Sequence, residues 1–363
     1  MSALWLVLLA AVLIGGQALL FGFNNLRRLT YDRHFSKEKA FEGDKIELIE
    51  VLKNKKALPV PWLRAESRIP AELKFEQQLE ELKVSGGLYH RSSFFLSPMC
   101  AITRHHSVTL LRRGVYYAGS VALTAGDLFA IVRKESQLEI PCSVVVYPRL
   151  LTENELPDPA NRWLGDAVVR RWIMPDPFLV NGIRDYMQGD PLKDIHWKAS
   201  ARTGQLRVKV RDYTSDPKVF VILNIQTNQN QWADVGEQNV ADVEQGIRIA
   251  ATLCLRALKM GMSAGFASNA CLMGKERSGE CVFVPSAGGS EQGDKLLDIM
   301  AHMLLHREKN FHTYLNELDF LTGEDILIIS AYDSEELSAA VHRLRGQGNT
   351  VSTLHLDLGR SAK

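Results

Sequence analysis

The chain from Arg184 to Tyr213 reads RDYMQGDPLKDIHWKASARTGQLRVKVRDY, and it carries the densest local structural signal in the sequence. Asp190 and Pro191 predict the start of a helix, because an aspartate can accept hydrogen bonds from free backbone N–H groups and a proline lacks one. The predicted helix ends at Arg202. Gly204 then suits the left-handed conformation that follows many helices.

The residues after this helix predict a strand with two unlike faces. Apolar side chains alternate there with basic ones, which is the pattern of a strand with one buried face. The apolar positions are Leu206, Val208 and Val210, and the basic positions are Arg207, Lys209 and Arg211. The basic face is either a solvated edge or a docking site for an acidic partner.

The same segment resembles a known family, domain-of-unknown-function family 58. The matching positions are Arg184, Tyr186, Gly189, Asp190, Asp194, Ile195, His196, Trp197, Lys198, Ser200, Ala201, Arg202, Leu206 and Val208. The resemblance implies a bacterial or archaeal protein, often anchored in a membrane and encoded beside a MoxR-type AAA+ ATPase. It also implies a von Willebrand factor A-like domain, but it defines no biochemical activity.

An ordinary structural role for this segment is the alternative. Ile195 and Trp197 are expected to pack in the core, since large apolar side chains dominate core burial. His196 is expected to be a hydrogen-bonded structural histidine. We nevertheless predict that the signature positions, together with Arg207 and Lys209, form a docking or interdomain surface.

Composition excludes some classes of protein. The 363 residues include 43 Lys and Arg against 42 Asp and Glu, and this balance argues against a general nucleic-acid binder. The five cysteines are scattered and form no C-x-x-C pair, so neither a disulfide framework nor a zinc site is expected. Reduced cysteines fit a cytoplasmic domain.

The amino-terminal stretch predicts a membrane anchor. Residues 2–23 carry no charge, and about 20 apolar residues can cross the hydrocarbon core as a helix. A cleaved signal peptide is the alternative, but it would need basic residues before the apolar core. Arg27, Arg28 and Arg33 follow the apolar run, which places the rest of the chain on the cytoplasmic side. We assign residues 1–26 to a single-pass anchor in the cytoplasmic membrane.

Residues 27–150 read as a domain of short strands. Lys45–Val51 alternates in polarity, and Cys142–Tyr147 is an apolar run closed by Pro148. Short strands at this spacing predict a β-sandwich-like domain. Residues 151–183 are rich in Pro, Asp and Asn and predict a connection with few regular elements, which leads into the signature segment at residues 184–213.

The spacing of apolar residues along the sequence changes in residues 214–363. Lys218–Ile225 and Asp325–Ser330 are apolar runs typical of buried parallel strands, and Val240–Met260 repeats its apolar residues at helical spacing. Alternating strands and helices predict a doubly wound α/β sheet. The family resemblance implies that this sheet is a von Willebrand factor A-like domain.

The metal site of such a domain is degenerate here. Family members with the site carry Asp-x-Ser-x-Ser after the first strand, because Mg²⁺ requires oxygen ligands and carboxylates balance its charge. The corresponding positions hold Asn224, Gln226 and Asn228. We predict no metal and no cofactor. The alternative is a metal-dependent adhesion module in which these residues hold a cation with help from Asp333.

Function is predicted by combining these features. We expect a membrane-anchored, non-enzymatic scaffold that works with a MoxR-type AAA+ ATPase in the assembly or maturation of other proteins. A hydrolase that uses Asp190, Asp194 and His196 is a further alternative, because these three residues lie within about one and a half helical turns. No phosphate loop or nucleophile elbow is found in the sequence.

Overall fold

The structure is a computed structural model that describes residues 2–22, 26–76, 82–84, 87–129, 131–173, 180–211, 217–231, 234–276 and 278–356. The chain divides into two compact units, Met1–Arg149 and Leu150–Lys363. Each unit has its own sheets and its own core.

The first unit is built from strands that follow one amino-terminal helix. Its elements are α1 (Ser2–Gly22), β1 (Leu29–Phe35), β2 (Lys39–Phe41), β3 (Lys45–Asn54), β4 (Val60–Ile69), β5 (Leu73–Phe75), β6 (Leu82–Val84), β7 (Gly87–Leu96), β8 (Ala101–Leu110), β9 (Gly114–Tyr117), β10 (Ser120–Gly126), β11 (Arg133–Glu139) and β12 (Ser143–Tyr147). The predicted strands at Lys45–Val51 and Cys142–Tyr147 are confirmed, as β3 and β12.

These strands form three sheets. A four-stranded sheet has the order β1-β3-β8-β5, and a five-stranded sheet has the order β11-β10-β4-β7-β6; all neighbours in both are antiparallel. The third sheet has the order β2-β12-β9, in which β2 runs parallel to β12. Long antiparallel pairs such as β3 with β8 form readily here because polar and apolar residues alternate along each strand.

Among the residues that the structure describes, the apolar core of the first unit contains two clusters. The inward row of β3 shows the division: Ile46 and Leu48 belong to one cluster, Leu52 belongs to the other, and Glu50 lies between them along the strand. Strand β4 repeats the arrangement with Leu63 and Ala65 in one cluster and Ile69 in the other, and Ser67 between. A layer of buried polar side chains therefore interrupts the core.

The second unit mixes helices and strands. Its elements are α2 (Asp158–Ile173), β13 (Val180–Asp185), a 3₁₀ helix (Leu192–Asp194), α3 (Trp197–Thr203), β14 (Arg207–Arg211), β15 (Lys218–Leu223), a 3₁₀ helix (Glu237–Asn239), α4 (Val240–Lys259), β16 (Ser263–Ser268), β17 (Ala270–Leu272), β18 (Val282–Ala287), α5 (Ser290–His302), β19 (Met303–Arg307), α6 (Phe311–Glu317), β20 (Asp325–Ser330), α7 (Glu335–Gly346) and β21 (Thr350–His355).

The central sheet of this unit has the order β18-β16-β15-β20-β21. Strands β16, β15, β20 and β21 are parallel, whereas β18 is antiparallel to β16. Helix α4 packs on β15, β16 and α5, and α6 packs on α7. Val219–Leu223 of β15 is fully buried, which explains its unbroken apolar sequence.

Several elements that the sequence predicted in this unit are confirmed. β20 begins and ends at the predicted residues, and α4 covers nearly all of Val240–Met260. Residues 151–183 were predicted to be a connection with few regular elements. This prediction is wrong, because the stretch contains the 16-residue helix α2. Helix α2 begins at Asp158, where the acidic side chain and Pro159 suit the first turn of a helix.

The fold class predicted from the sequence is wrong. The stretch predicted as an anchor, residues 1–26, contains helix α1, but no helix among the residues that the structure describes is long and apolar enough to cross a membrane. The described strands of the first unit form three sheets in place of a two-sheet sandwich. In the second unit an antiparallel strand and the separate two-stranded sheets β13-β14 and β17-β19 accompany the parallel strands, and no von Willebrand factor A-like fold is shown. Strands dominate the part of the chain that the structure describes.

Candidate functional site

The signature segment folds around the antiparallel pair of β13 and β14. Tyr186 extends this pair by donating its backbone N–H to the carbonyl of Leu206 at 3.0 Å. Between the two strands the chain forms a turn, the 3₁₀ helix at Leu192–Asp194 and α3. Gly204 closes α3 with φ at +71°, so the predicted left-handed cap is confirmed.

A bidentate ion pair braces the turn. Arg184 donates from Nη1 and Nη2 to the two carboxylate oxygens of Asp190, at 2.7 and 2.6 Å, and Asp190 also accepts from the backbone N–H of Met187 at 2.8 Å. The Arg184 guanidinium and the Met187 N–H hold the pKa of Asp190 below its usual range. The predicted helix cap at Asp190 is therefore wrong, because an arginine fork offers a carboxylate two charge-assisted bonds.

His196 caps α3 in place of Asp190. Its Nδ1 accepts from the backbone N–H of Ala199 at 3.1 Å, and its own backbone N–H donates to the carbonyl of Arg207 at 2.7 Å. Ser200 Oγ accepts from the N–H of Arg207 at 2.9 Å and lies 3.1 Å from the carbonyl of His196, to which it donates. These bonds join the helix to β14, so the helix begins at Trp197 and not at Pro191.

The apolar residues of the segment differ in their exposure to solvent. Ile195 is buried and forms an isolated antiparallel bridge with Val208, as expected for a packing residue. Trp197 is 68% exposed, so the expectation that it packs in the core is wrong. Met187 and Leu192 are similarly exposed, at 67% and 70%. We call Met187, Leu192 and Trp197 the apolar triplet.

The basic strand β14 pairs with β13 in the same segment. Cross-strand pairing places Ile183 opposite Lys209 and Asp185 opposite Arg207, and Arg207 Nη2 lies 3.4 Å from Asp185 Oδ1. Lys198, Ala201 and Arg202 are exposed on α3, and Gly189 occupies a turn with φ at +110°. The chain between Arg184 and Arg211 holds seven lysines and arginines and three aspartates, so the sequence of this segment carries an excess of positive charge.

Two of the three residues of the hydrolase alternative make hydrogen bonds within the segment. Asp190 is held by Arg184 and Met187, and Nδ1 of His196 is occupied by the helix N–H. Asp194 lies in the 3₁₀ helix and is half-buried. The side chains of Asp190 and His196 thus stabilise the backbone conformation of the segment.

The degenerate metal positions lie where β15 ends, at the carboxyl edge of the parallel strands. Asn224 Nδ2 donates to Ser330 Oγ at 3.0 Å, and its Oδ1 accepts from the Gln226 N–H at 2.9 Å. Gln226 Oε1 accepts from the Phe311 N–H at 2.7 Å and from Asn269 Nδ2 at 3.3 Å. These amide oxygens brace loops, and a cation would have to displace bonds they already make.

The outer residues of this edge are more open. Asn228 is exposed, and its Oδ1 accepts from the Asn230 N–H at 3.1 Å. Asp333, proposed as an additional ligand, is exposed in the loop after β20. Asn269 was missed by the sequence argument, although its Oδ1 accepts from the Ile225 N–H at 3.0 Å. Its position directly after the apolar strand β16 is the signal that could have identified it.

A second group of ionisable side chains lies in the first unit, in the polar layer of the core. Glu50 Oε1 accepts from Tyr31 Oη at 2.6 Å, and Glu50 Oε2 accepts from His106 Nε2 at 2.9 Å and from Ser92 Oγ at 3.2 Å. We call this group the buried polar belt; its members are Tyr31, Arg33, Glu50, Ser67, His90, Ser92 and His106.

Arg33 and His90 complete the belt. Arg33 Nη2 lies 3.7 Å from Glu50 Oε1, and Arg33 Nη1 donates to Ser67 Oγ at 2.7 Å. His90 Nε2 lies 4.0 Å from Glu50 Oε1 and 3.0 Å from Ser92 Oγ, and its ring stacks on Phe75. Arg33, Glu50, His90 and His106 are all at most 4% exposed.

Burial and charge shift the titration of these groups. Burial opposes ionisation of Glu50, but the hydrogen bond from His106, the charge of Arg33 and the hydrogen bond from Tyr31 together lower its pKa to about 2. Burial lowers the pKa of His90 to about 4, and the charge of Arg33 adds to this effect. Burial also raises the pKa of Tyr31, and it raises that of the neighbouring Cys142 to about 11. Glu50 is therefore ionised and His90 neutral near pH 7.

The belt fits a compensated ion pair better than a metal centre. Glu50, His90 and His106 each offer one ligand atom, and these atoms lie within 4.8 Å of one another. However, Arg33 already balances the charge of Glu50, so a divalent cation would add two buried positive charges without a counter-ion. His106 Nε2 also donates a proton to Glu50, which the cation would have to displace.

Comparison with known proteins adds a family match. Residues 182–319 match the family described as "Protein of unknown function DUF58". The chain is 22% identical over 255 residues to a protein of Bacillus subtilis (strain 168) named "Uncharacterized protein YeaD", a match that covers 70% of this chain and 58% of that protein. The chain thus spans less than two thirds of the length of that relative.

Solved structures match at a lower level. The CARDB domain of the PF1109 protein from Pyrococcus furiosus is 14% identical with a TM-score of 0.21, and the match covers 33% of this chain and 96% of that one. Native alpha-2-macroglobulin from Escherichia coli, from domain MG7 to its carboxyl terminus, is 14% identical with a TM-score of 0.25, over 33% of this chain and 23% of that one.

Proposed function

We propose that this chain is a non-enzymatic interaction module and that the signature segment is its docking surface. The observation that carries the proposal is the exposure of the apolar triplet, Met187, Leu192 and Trp197, on a frame held by several hydrogen bonds. The partner that the family resemblance implies is a MoxR-type AAA+ ATPase, which would act with this module in assembling or maturing other proteins.

The rigidity of the frame favours binding. Residues that dominate protein interfaces are enriched in tryptophan, and binding costs less when the contact residues are already ordered. Trp197 is the first residue of α3, next to the capping residue His196, and the Arg184–Asp190 pair fixes the turn that carries Met187. A partner would therefore meet apolar side chains that are displayed in one arrangement.

The charge of the segment supports an acidic partner. The excess of lysine and arginine in this segment fits an acidic contact surface, because complementary charges speed association and exclude partners of like charge. Arg207 and Lys209 lie on one face of β14, since alternate residues of a strand share a face. The acidic part of the partner is expected to contact this face.

Two variants of the full chain test the proposal with the purified ATPase of the same organism. Trp197→Ala should weaken binding by at least about 30-fold, which corresponds to about 2 kcal/mol for a central aromatic contact. Arg207→Glu combined with Lys209→Glu should abolish binding at low salt. Both are measured by titration calorimetry.

Phe95→Ala is the matched control, because Phe95 is a 60% exposed aromatic of the first unit, outside the proposed surface. It should bind as the unchanged chain does. Equal affinity of all the variants would reject the docking surface, and failure of the unchanged chain to bind the ATPase would reject the partner.

A further inference from the structure

The buried polar belt links two sheets of the first unit. Tyr31, Arg33, Glu50 and His106 come from β1, β3 and β8 of the four-stranded sheet, whereas Ser67, His90 and Ser92 come from β4 and β7 of the five-stranded sheet. The bonds from Arg33 to Ser67 and from Ser92 to Glu50 cross from one sheet to the other. The belt is therefore a polar connection through the middle of an apolar core.

The positions of its protons follow from the hydrogen bonds. Glu50 receives donors on both oxygens and is a carboxylate. Ser92 has one hydroxyl proton, and it donates this proton to Glu50, so at His90 it accepts from Nε2–H. His90 is then a neutral imidazole whose only proton is used in this bond. In this state the single charges of Glu50 and Arg33 balance.

A second proton on His90 would disturb this balance. The ionisable groups around His90 are Arg33 from β1, Glu50 from β3, His106 and Arg104 from β8, and, beyond Glu50, Tyr31 and Cys142; the uncharged ring of Phe75 from β5 stacks on it. Glu50 is the only carboxylate among them and is already paired with Arg33. An imidazolium here would be a buried charge without its own counter-ion.

We propose that the buried polar belt is a proton-sensitive latch that holds the two sheets together near neutral pH and releases them when His90 takes up a second proton. Acid would thus loosen β4 and β7 from β1, β3 and β8. The latch gives the first unit a reversible response to mild acidification, which is a property separate from the docking surface of the second unit.

The sign and size of the response can be worked out. Because the pKa of His90 is lower in the folded state than in the unfolded state, the open state binds more protons between about pH 6.5 and pH 4. The contribution to stability is therefore complete above pH 6.5 and is lost as the pH falls toward 4. Between pH 7.5 and pH 5.0 the equilibrium for opening should rise by about 30-fold from this residue alone.

Hydrogen exchange of the full chain, read by mass spectrometry on β4 and β7 peptides, tests the latch. After correction for the intrinsic pH dependence, the unchanged chain should show the 30-fold increase in opening. His90→Gln should flatten it, because glutamine keeps an N–H donor for Ser92 but does not titrate. His105→Gln, on the exposed side of β8, is the matched control and should keep the full response.

Two outcomes would overturn the proposal. One is an equal pH response in the unchanged chain and in His90→Gln. The other is zinc in the purified protein, lost on His90→Gln, which would make the belt a metal centre. If His90→Gln does not fold, the titration of His90 in the unchanged chain decides: a pKa near 4 supports the latch, and a pKa near 6.5 refutes it.

Discussion

Replacing Glu50 with glutamine should destabilise the first unit strongly, although the two side chains have nearly the same shape. The carboxylate receives hydrogen bonds from Tyr31, Ser92 and His106 and neutralises Arg33. A glutamine amide would place its N–H donors against the donors on one side of the former carboxylate and leave the buried Arg33 charge without a counter-ion.

The magnitude can be obtained in two independent ways. The fall in the pKa of Glu50 from 4.5 to about 2 corresponds to about 3 kcal/mol in favour of the ionised side chain, at 1.36 kcal/mol for each pH unit. Removing one partner of a buried ion pair costs roughly 3–5 kcal/mol in other proteins. The two values agree, so we expect Glu50→Gln to cost about 3 kcal/mol at pH 7.

The pH dependence of this loss has a definite sign. Because the folded state lowers the pKa of Glu50, the stabilisation is fully present above about pH 4.5 and is lost as the pH falls toward 2. The difference between the unchanged chain and Glu50→Gln should therefore be constant from pH 5 to pH 8. The titration of His90 between pH 5 and pH 8 affects the stability of both proteins alike, so it cancels in the difference.

Native-state hydrogen exchange of the slowest β3 and β8 amides measures this free energy for the first unit alone, without assuming that both units unfold together. Glu47→Gln is the control, because Glu47 lies on the same strand, is exposed and pairs with His105 at 2.8 Å. It should cost less than about 1 kcal/mol. A cost below 1 kcal/mol for Glu50→Gln would refute the reasoning.

The remaining predictions concern the signature segment. Ser200→Ala should destabilise α3 by about 1–2 kcal/mol, because Ser200 is buried and its loss leaves the Arg207 N–H without an acceptor. Hydrogen exchange of α3 measures this, and a cost no greater than that of the exposed Thr203→Ala would count against it. Gly204→Ala should cost about 1 kcal/mol, since φ there is +71°. In contrast, Gly165→Ala, within α2 and with open space at its Cβ, should be neutral or stabilising. Chemical denaturation compares the two variants, and equal effects would contradict the conformational argument.

Much of the local structure could be predicted, and the candidate site only in part. The positions of the signature residues were known from the sequence, and the capping role of Gly204 was predicted correctly. The pairing of Asp190 with Arg184 was not predicted. A backbone N–H at a helix start and the guanidinium of Arg184 compete for the same carboxylate, and the sequence does not show which of the two donors binds it. The exposure of Trp197 was not predicted, because a large apolar residue is usually buried and the sequence pattern does not show which one is exposed.

The sequence by itself determined the elements whose character depends on nearby residues. The apolar run of β20, the helical spacing of α4 and the alternation of β3 each specify a local backbone form and one buried face.

The tertiary structure alone decided how distant elements pair. It set the antiparallel direction of β18, the parallel pairing of β2 with β12, and the meeting of Arg33, Glu50 and His106 from three strands. These outcomes depend on packing and charge compensation between segments far apart in the chain. A periodic sequence pattern defines which face of a strand is buried, but it carries no information about which other strand or helix packs against that face.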